Sequence, residues 1–216
     1  KIDRKKKILA STLLLALGYI KSEIVDEFYD NEEYVFDSKT GKWKTKFNPE
    51  NYKAKNFSEE VIDAKNGKVV IKLGEKINYL SAKKLANDGL KDILVAKDSL
   101  IGKFLHQDIK ISDEEGGILK IGTELNETLI QQILDADINS LKISVTNSIN
   151  KGPYLLITLL NDKNETKDEA ITEIYKMLRP GEPPTIEIAS QICNNLFFSS
   201  DRYDLSDVGR VKMNSR

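Results

Sequence analysis

Apolar residues group at helical spacing near both ends of this chain and alternate through its middle. Residues 8–17 (ILASTLLLAL) are almost continuously apolar and predict a short helix, with Gly18 as its C-cap. Residues 21–29 put Ile24, Val25 and Phe28 at helical spacing, which gives a compact helix–turn–helix-like pair whose default role is core packing. From about residue 31 the texture turns to β. Segments 34–36, 41–47, 61–63 and 68–73 alternate or carry β-branched and aromatic residues, and Asn66-Gly67 is a hairpin signal. Residues 153–160 (PYLLITLL) read as a buried strand. Thr166 and Glu169 are spaced as a capping box for a helix over 168–178, with Ile171, Ile174, Tyr175 and Leu178 on one stripe. Arg179-Pro180 ends that helix, because the residue before a proline avoids the α region. Another helix is expected over about 185–195, and 203–213 reads as extended.

The middle also repeats itself at an offset of 48 residues. Lys72-Leu73-Gly74 aligns with Lys120-Ile121-Gly122, Ile77-Asn78 with Leu125-Asn126, Leu85 with Ile133, Leu90 with Ile138 and Ile93 with Leu141. Each copy predicts a strand, a Gly turn, an Asn N-cap, a helix of about ten residues and a strand. Two copies are too few for a solenoid, so the pattern points to a pseudo-symmetric αβ module.

Composition narrows the class. The chain has 216 residues, 40% of them hydrophobic and 31% charged, enough to bury a real core and stay in water. No apolar run approaches a bilayer span, and no secretory signal is expected. The KIDRKKK start without a Met is expected for a piece of a longer protein. The single cysteine, Cys193, rules out an internal disulfide, fits a reducing compartment, and reads as a core thiol. Net charge is −1, so any contact with nucleic acid has to be local, through a few arginines and lysines.

The candidate chemistry lies at the ends. Residues 1–7 carry five cations and one acid, a patch that neutralises phosphates or is simply solvated. Residues 178–210 hold three of the five prolines. Arg179-Pro180-Gly181-Glu182-Pro183-Pro184 is a stiff connector that presents Arg179 to a phosphate, or lets it bond the carbonyls ending its own helix. Arg202 lies between Asp201 and Asp204, open to a phosphate or neutralised by them. His106 is the only histidine, so neither a His-paired nucleophile nor a His-rich metal site is expected. Residues 112–115 read as a solvated acidic hairpin without EF-hand spacing, and Trp43 stands alone, with no partners for a stacking platform. No complete catalytic constellation is present in the sequence.

Several motifs carry a family resemblance. They are residues 175–185 (YKMLRPGEPPT), 195–199 (NLFFS), 201–205 (DRYDL) and 208–210 (VGR). Together with residues 1–7 (KIDRKKK), residues 13–19 (LLLALGY) and Gly152-Pro153-Tyr154, they resemble the lobe of the beta subunit of bacterial DNA-directed RNA polymerase. Residues 30–150 resemble, more loosely, the lineage-specific insertion some beta subunits carry in that lobe. Ile186 and Ile188 depart from the family, where charged or small residues are common. The resemblance implies one wall of the main cleft, facing downstream DNA and the non-template strand. It implies no catalytic residue here, since the magnesium-binding aspartates belong to the beta-prime subunit. Arg179 and Arg202 match family arginines on the cleft face. Asp3 and Arg4 match positions near a pocket for a non-template base, where an aspartate accepts from a base edge and an arginine clamps a phosphate. The implied partners are DNA, the beta-prime, alpha and omega subunits and sigma factor, with regulators on the insertion and no membrane. The implied location is the cytoplasm, at the nucleoid.

The expected fold is therefore mixed αβ. A mainly helical lobe core comes from residues 1–30 and 151–216, and the αβ module of 31–150 is inserted into it. A module that docks transcription regulators through 31–150 is the competing function.

Overall fold

The computed structural model describes residues 6–51, 55–56, 60–72, 74–112, 116–147, 151–200 and 206–215. Eight α-helices lie among them: α1 (Ala10–Ala16), α2 (Lys21–Phe28), α3 (Tyr79–Asn87), α4 (Glu127–Asp135), α5 (Tyr154–Asn161), α6 (Lys167–Leu178), α7 (Ile186–Phe197) and α8 (Asp207–Asn214). The strands are β1 (Asn31–Asp37), β2 (Lys42–Lys46), β3 (Lys55–Asn56), β4 (Val61–Asp63), β5 (Val69–Ile71), β6 (Lys76–Ile77), β7 (Asp92–Val95), β8 (Phe104–Leu105), β9 (Ile109–Lys110), β10 (Ile118–Leu119) and β11 (Ser140–Ser144). The fold is mixed αβ.

Two compact units divide the chain. One takes Lys1–Lys21 with Asp162–Arg216, the other Ser22–Asn161. These units follow packing, whereas the segments 1–30, 31–150 and 151–216 follow sequence texture, and the two divisions are different.

In the first unit α6 packs with α1 and with α7. Leu15 and Ala16 of α1, Ile171, Ile174 and Tyr175 of α6, and Ala189 and Cys193 of α7 are buried. Burial pushes the Cys193 thiol up, as a core position requires, although Lys167 acts the other way. Ser11 and Thr12, which interrupt the apolar run, are buried too. Thr12 Oγ1 donates to Asp162 Oδ2 at 2.9 Å, and Ser11 Oγ donates to the same oxygen. Asp162 Oδ1 accepts from the Asn164 N–H at 3.0 Å and its Nδ2 at 2.8 Å. Burial alone raises a carboxyl pKa, but these four donors outweigh it and hold Asp162 below its ordinary range.

In the second unit seven strands form one sheet in the order β5-β4-β7-β2-β1-β11-β8. Every pairing in it is antiparallel. Tyr34, Trp43, Ile93, Val95, Leu105, Leu141 and Ile143 pack into its core with Ala82 of α3 and Ile130 and Ile133 of α4. Asn78 and Asn126 cap α3 and α4 alike, each accepting at 2.8 Å, from Ser81 N and Leu129 N. The sheet's entry and exit meet: Val145 N donates to Asp30 O at 2.8 Å, and Lys151 Nζ reaches Asp30 Oδ2 at 2.8 Å. Trp43 is fully buried, its ring centroid 5.2 Å from that of Phe36, so it is closed to stacking with a base.

Two expected elements are overturned. Residues 153–160 are not a strand: they form α5, with Leu156 and Leu159 buried and Tyr154, Ile157 and Leu160 exposed. An apolar run with no polar spacing reads the same way as strand or helix, and helical packing settled the choice. The extended reading of 203–213 also fails over its described part. There α8 starts on Ser206, whose Oγ accepts from Gly209 N at 3.3 Å. No residue of α8 is buried, and its apolar side chains Val208, Val211 and Met213 stay exposed, so no packed face fixes it.

Candidate nucleic-acid interface

Arg179 is the one sequence-predicted site residue among the described residues. Asp3, Arg4 and Arg202 lie outside them. The helix leading to Arg179 starts on the expected capping box: Thr166 Oγ1 accepts from Glu169 N, and Glu169 Oε2 accepts from Thr166 N at 3.1 Å. It ends at Leu178, and Arg179 leaves the helix at φ −124°, ψ 73°, as the following proline demands. Gly181 then turns the chain at φ 94°, a conformation that side chains with a Cβ resist. Thr185 caps α7.

Several hydrogen bonds hold the turn. Arg179 N donates to Tyr175 O at 2.8 Å. The Arg179 guanidinium donates to Glu182 Oε2 at 3.3 Å, and the same oxygen accepts from Tyr175 Oη at 2.9 Å. Lys6 Nζ donates to Leu178 O at 3.3 Å. The carbonyl ending α6 is thus met by Lys6, from the other end of the chain, while the Arg179 side chain turns to Glu182. Hydrogen bonds from Tyr175 and then Arg179 hold the Glu182 carboxyl below its usual range. Arg179 and Glu182 are each about half exposed, at 54%, so their ion pair is worth at most about 1 kcal/mol and yields readily to a stronger anion. The i,i+3 spacing of Arg179 and Glu182 was visible in sequence. Lys6 belongs to the basic patch of residues 1–7, but nothing in sequence pairs it with the Leu178 carbonyl.

Comparison with known proteins gives this turn a context. The family described as RNA polymerase Rpb2, domain 2, matches residues 133–216. The DNA-directed RNA polymerase subunit beta of Rickettsia akari (strain Hartford) is 41% identical over 216 residues, all of this chain. That of Rickettsia canadensis (strain McKiel) is 41% identical over 218, and that of Rickettsia conorii (strain ATCC VR-613 / Malish 7) 40% over 216. The chain belongs to the bacterial RNA polymerase beta-subunit family. It spans 16% of the length of these relatives.

Elsewhere in this beta-subunit segment lies a cluster, buried at His106 and Ser144 and exposed at Asp26, that sequence reading did not bring together. His106 does pair with a hydroxyl: Nδ1 lies 2.9 Å from Ser144 Oγ, and Nε2 lies 2.8 Å from Asp26 Oδ1. The order Asp–His–Ser resembles a hydrolytic triad. Ser144 and His106 are only 3% and 4% exposed, however, so no substrate carbonyl reaches the hydroxyl and the cluster instead joins α2 to the sheet. Among the described residues, no three His, Cys, Asp or Glu side chains gather as a metal-ligand set, and no step is derived through a metal here. No helix among them is long and apolar enough to cross a membrane.

Proposed function

We propose that this segment is a non-catalytic, DNA-facing wall of a cytoplasmic DNA-directed RNA polymerase. In this reading residues 1–30 and 151–216 form the lobe, and 31–150 are its insertion. The relatives' name supports the enzyme assignment. The observation that carries the DNA reading is the Arg179 turn: the peptide that precedes the arginine is held on both its N–H and C=O sides, while its guanidinium is half exposed on a weak, displaceable partner. A cation already ordered before binding loses little entropy when a phosphate replaces Glu182. Arg202, Arg4 and Asp3 join it in this proposal as contacts to downstream DNA and the non-template strand. The catalytic magnesium and its aspartates are assigned to the beta-prime subunit, with alpha, omega and sigma as further partners.

Charge reversal tests the proposal. In the intact polymerase, Arg179→Glu or Arg202→Glu shortens promoter open-complex lifetime and flattens its dependence on salt, by about one charge per substitution. Unchanged lifetimes across several salt concentrations would overturn the DNA-wall reading.

A second reading applies to 31–150: a duplicated αβ module that docks transcription regulators. Equivalences at the 48-residue offset support the duplication. Residues 79–87 of α3 correspond to 127–135 of α4, and both caps are asparagines. The β4–β5 pair Val61↔Ile71 corresponds to the β9–β10 pair Ile109↔Leu119. Asn56↔Lys76 corresponds to the bridge Phe104↔Glu124. Ile93 and Leu141 face Thr45 and Tyr34, which face each other across the central hairpin, as an approximate two-fold axis between β1 and β2 requires. The copies differ at the sheet, where β7 pairs with β4 but β11 pairs with β8.

A further inference from the structure

We infer that Lys6 is a positioning residue for Arg179: its ammonium holds the peptide that precedes the arginine and so sets where the guanidinium stands. This inference rests on the DNA-wall reading above.

The acceptor is the Leu178 carbonyl, and that carbonyl belongs to the same peptide unit as the Arg179 N–H. The N–H side of the unit is fixed by Tyr175 O at 2.8 Å and the C=O side by Lys6 Nζ at 3.3 Å. Both sides of one rigid plane are thus pinned immediately before the Cα of Arg179. A lysine also suits the place electrostatically, because the last carbonyls of a helix carry the negative end of its dipole. Beyond Arg179, Pro180 fixes its own φ and Gly181 turns the chain, and Lys6 supplies a hydrogen bond to this turn from outside residues 166–185. Lys6 and Leu178 are 172 residues apart, so the bond joins two distant parts of the chain. Lys6 is half-buried there, with one of its three ammonium donors on the carbonyl, and Arg179 is the more exposed cation of the two.

A double-mutant cycle in the intact polymerase separates positioning from direct phosphate contact. Lys6→Met keeps the side-chain length and removes the donor. It is expected to shorten open-complex lifetime about fivefold, the size of one net hydrogen bond. In an Arg179→Ala background it should shorten the lifetime no further, because there is no guanidinium left to place. Lys6→Arg, which keeps a donor, should restore most of the loss. Full additivity of the two losses would show that Lys6 meets the DNA on its own account and would overturn the inference. If Arg179→Ala alone has no effect, the DNA-wall reading fails. The positioning claim is then still read by hydrogen exchange over residues 178–183, without DNA. Lys6→Met should speed exchange at the Arg179 amide several-fold, and unchanged exchange there refutes the claim.

Discussion

At the scale of single residues, Asp162 is the most heavily used group in the first unit. Four donors converge on its carboxylate, and Lys21 Nζ donates to its backbone carbonyl at 3.2 Å. Replacing it by alanine strands two buried hydroxyls and an amide, which costs about 2–4 kcal/mol in denaturant unfolding. Its pH dependence has a definite sign. The folded pKa lies below the unfolded one, so the stabilisation is complete above the ordinary aspartate range and is lost as pH falls through the depressed value. Wild type should therefore lose stability more steeply than Asp162→Asn as pH falls below the ordinary aspartate pKa. Parallel curves would show that the carboxylate charge contributes nothing. Glu182 has the same sign at the Arg179 turn, but in an exposed pair, and its effect is on geometry more than on stability.

At the scale of elements, the two segments that align at the 48-residue offset make a controlled comparison. Gly74 and Gly122 stand at corresponding turns with φ of 76° and 82°. A Cβ on Gly74 would meet nothing within 4 Å, whereas one on Gly122 would lie 2.5 Å from Leu156 O, a backbone atom of α5 that cannot swing aside. Gly74→Ala thus costs only the left-handed backbone strain, about 1–2 kcal/mol. Gly122→Ala costs that plus a displacement of α5, about 3 kcal/mol or more in total. Equal thermal shifts for the two variants would mean that α5 yields freely. The same contact explains why 154–161 is helical: the segment docks as a helix by its backbone against the Gly122 turn and by Leu156 and Leu159 into the core. α8 has no such support among the described residues and rests on its Ser206 cap and its own hydrogen bonds.

At the scale of the whole molecule, the chain leaves and re-enters the sheet at one place. Asp30 bonds Val145 through its carbonyl and Lys151 through its carboxylate, and Tyr29 Oη donates to Gly152 O at 2.8 Å. A short linker can therefore join 30 to 151 in place of 31–150, although the deletion also removes the Gly122 turn under α5 and the His106 bond to α2. If this module docks regulators, the deletion should spare basal transcription by the intact enzyme and abolish the response to the docked factor. Loss of basal transcription in a polymerase that still assembles would place DNA contact in the module instead. The sequence by itself determined the local devices: the Thr166–Glu169 capping box, the Asn78 and Asn126 caps, the Asn66-Gly67 hairpin and the helix stop at Arg179-Pro180. Each is complete within about four residues, so spacing alone reveals it. Only the tertiary structure decided that 154–161 is a helix, that Ser11 and Thr12 serve Asp162, that His106 joins Asp26 to Ser144, and that Lys6 braces Arg179. In those cases the partners are 38 to 172 residues apart or the packing face is supplied by another element, and the sequence between them carries no trace of the meeting.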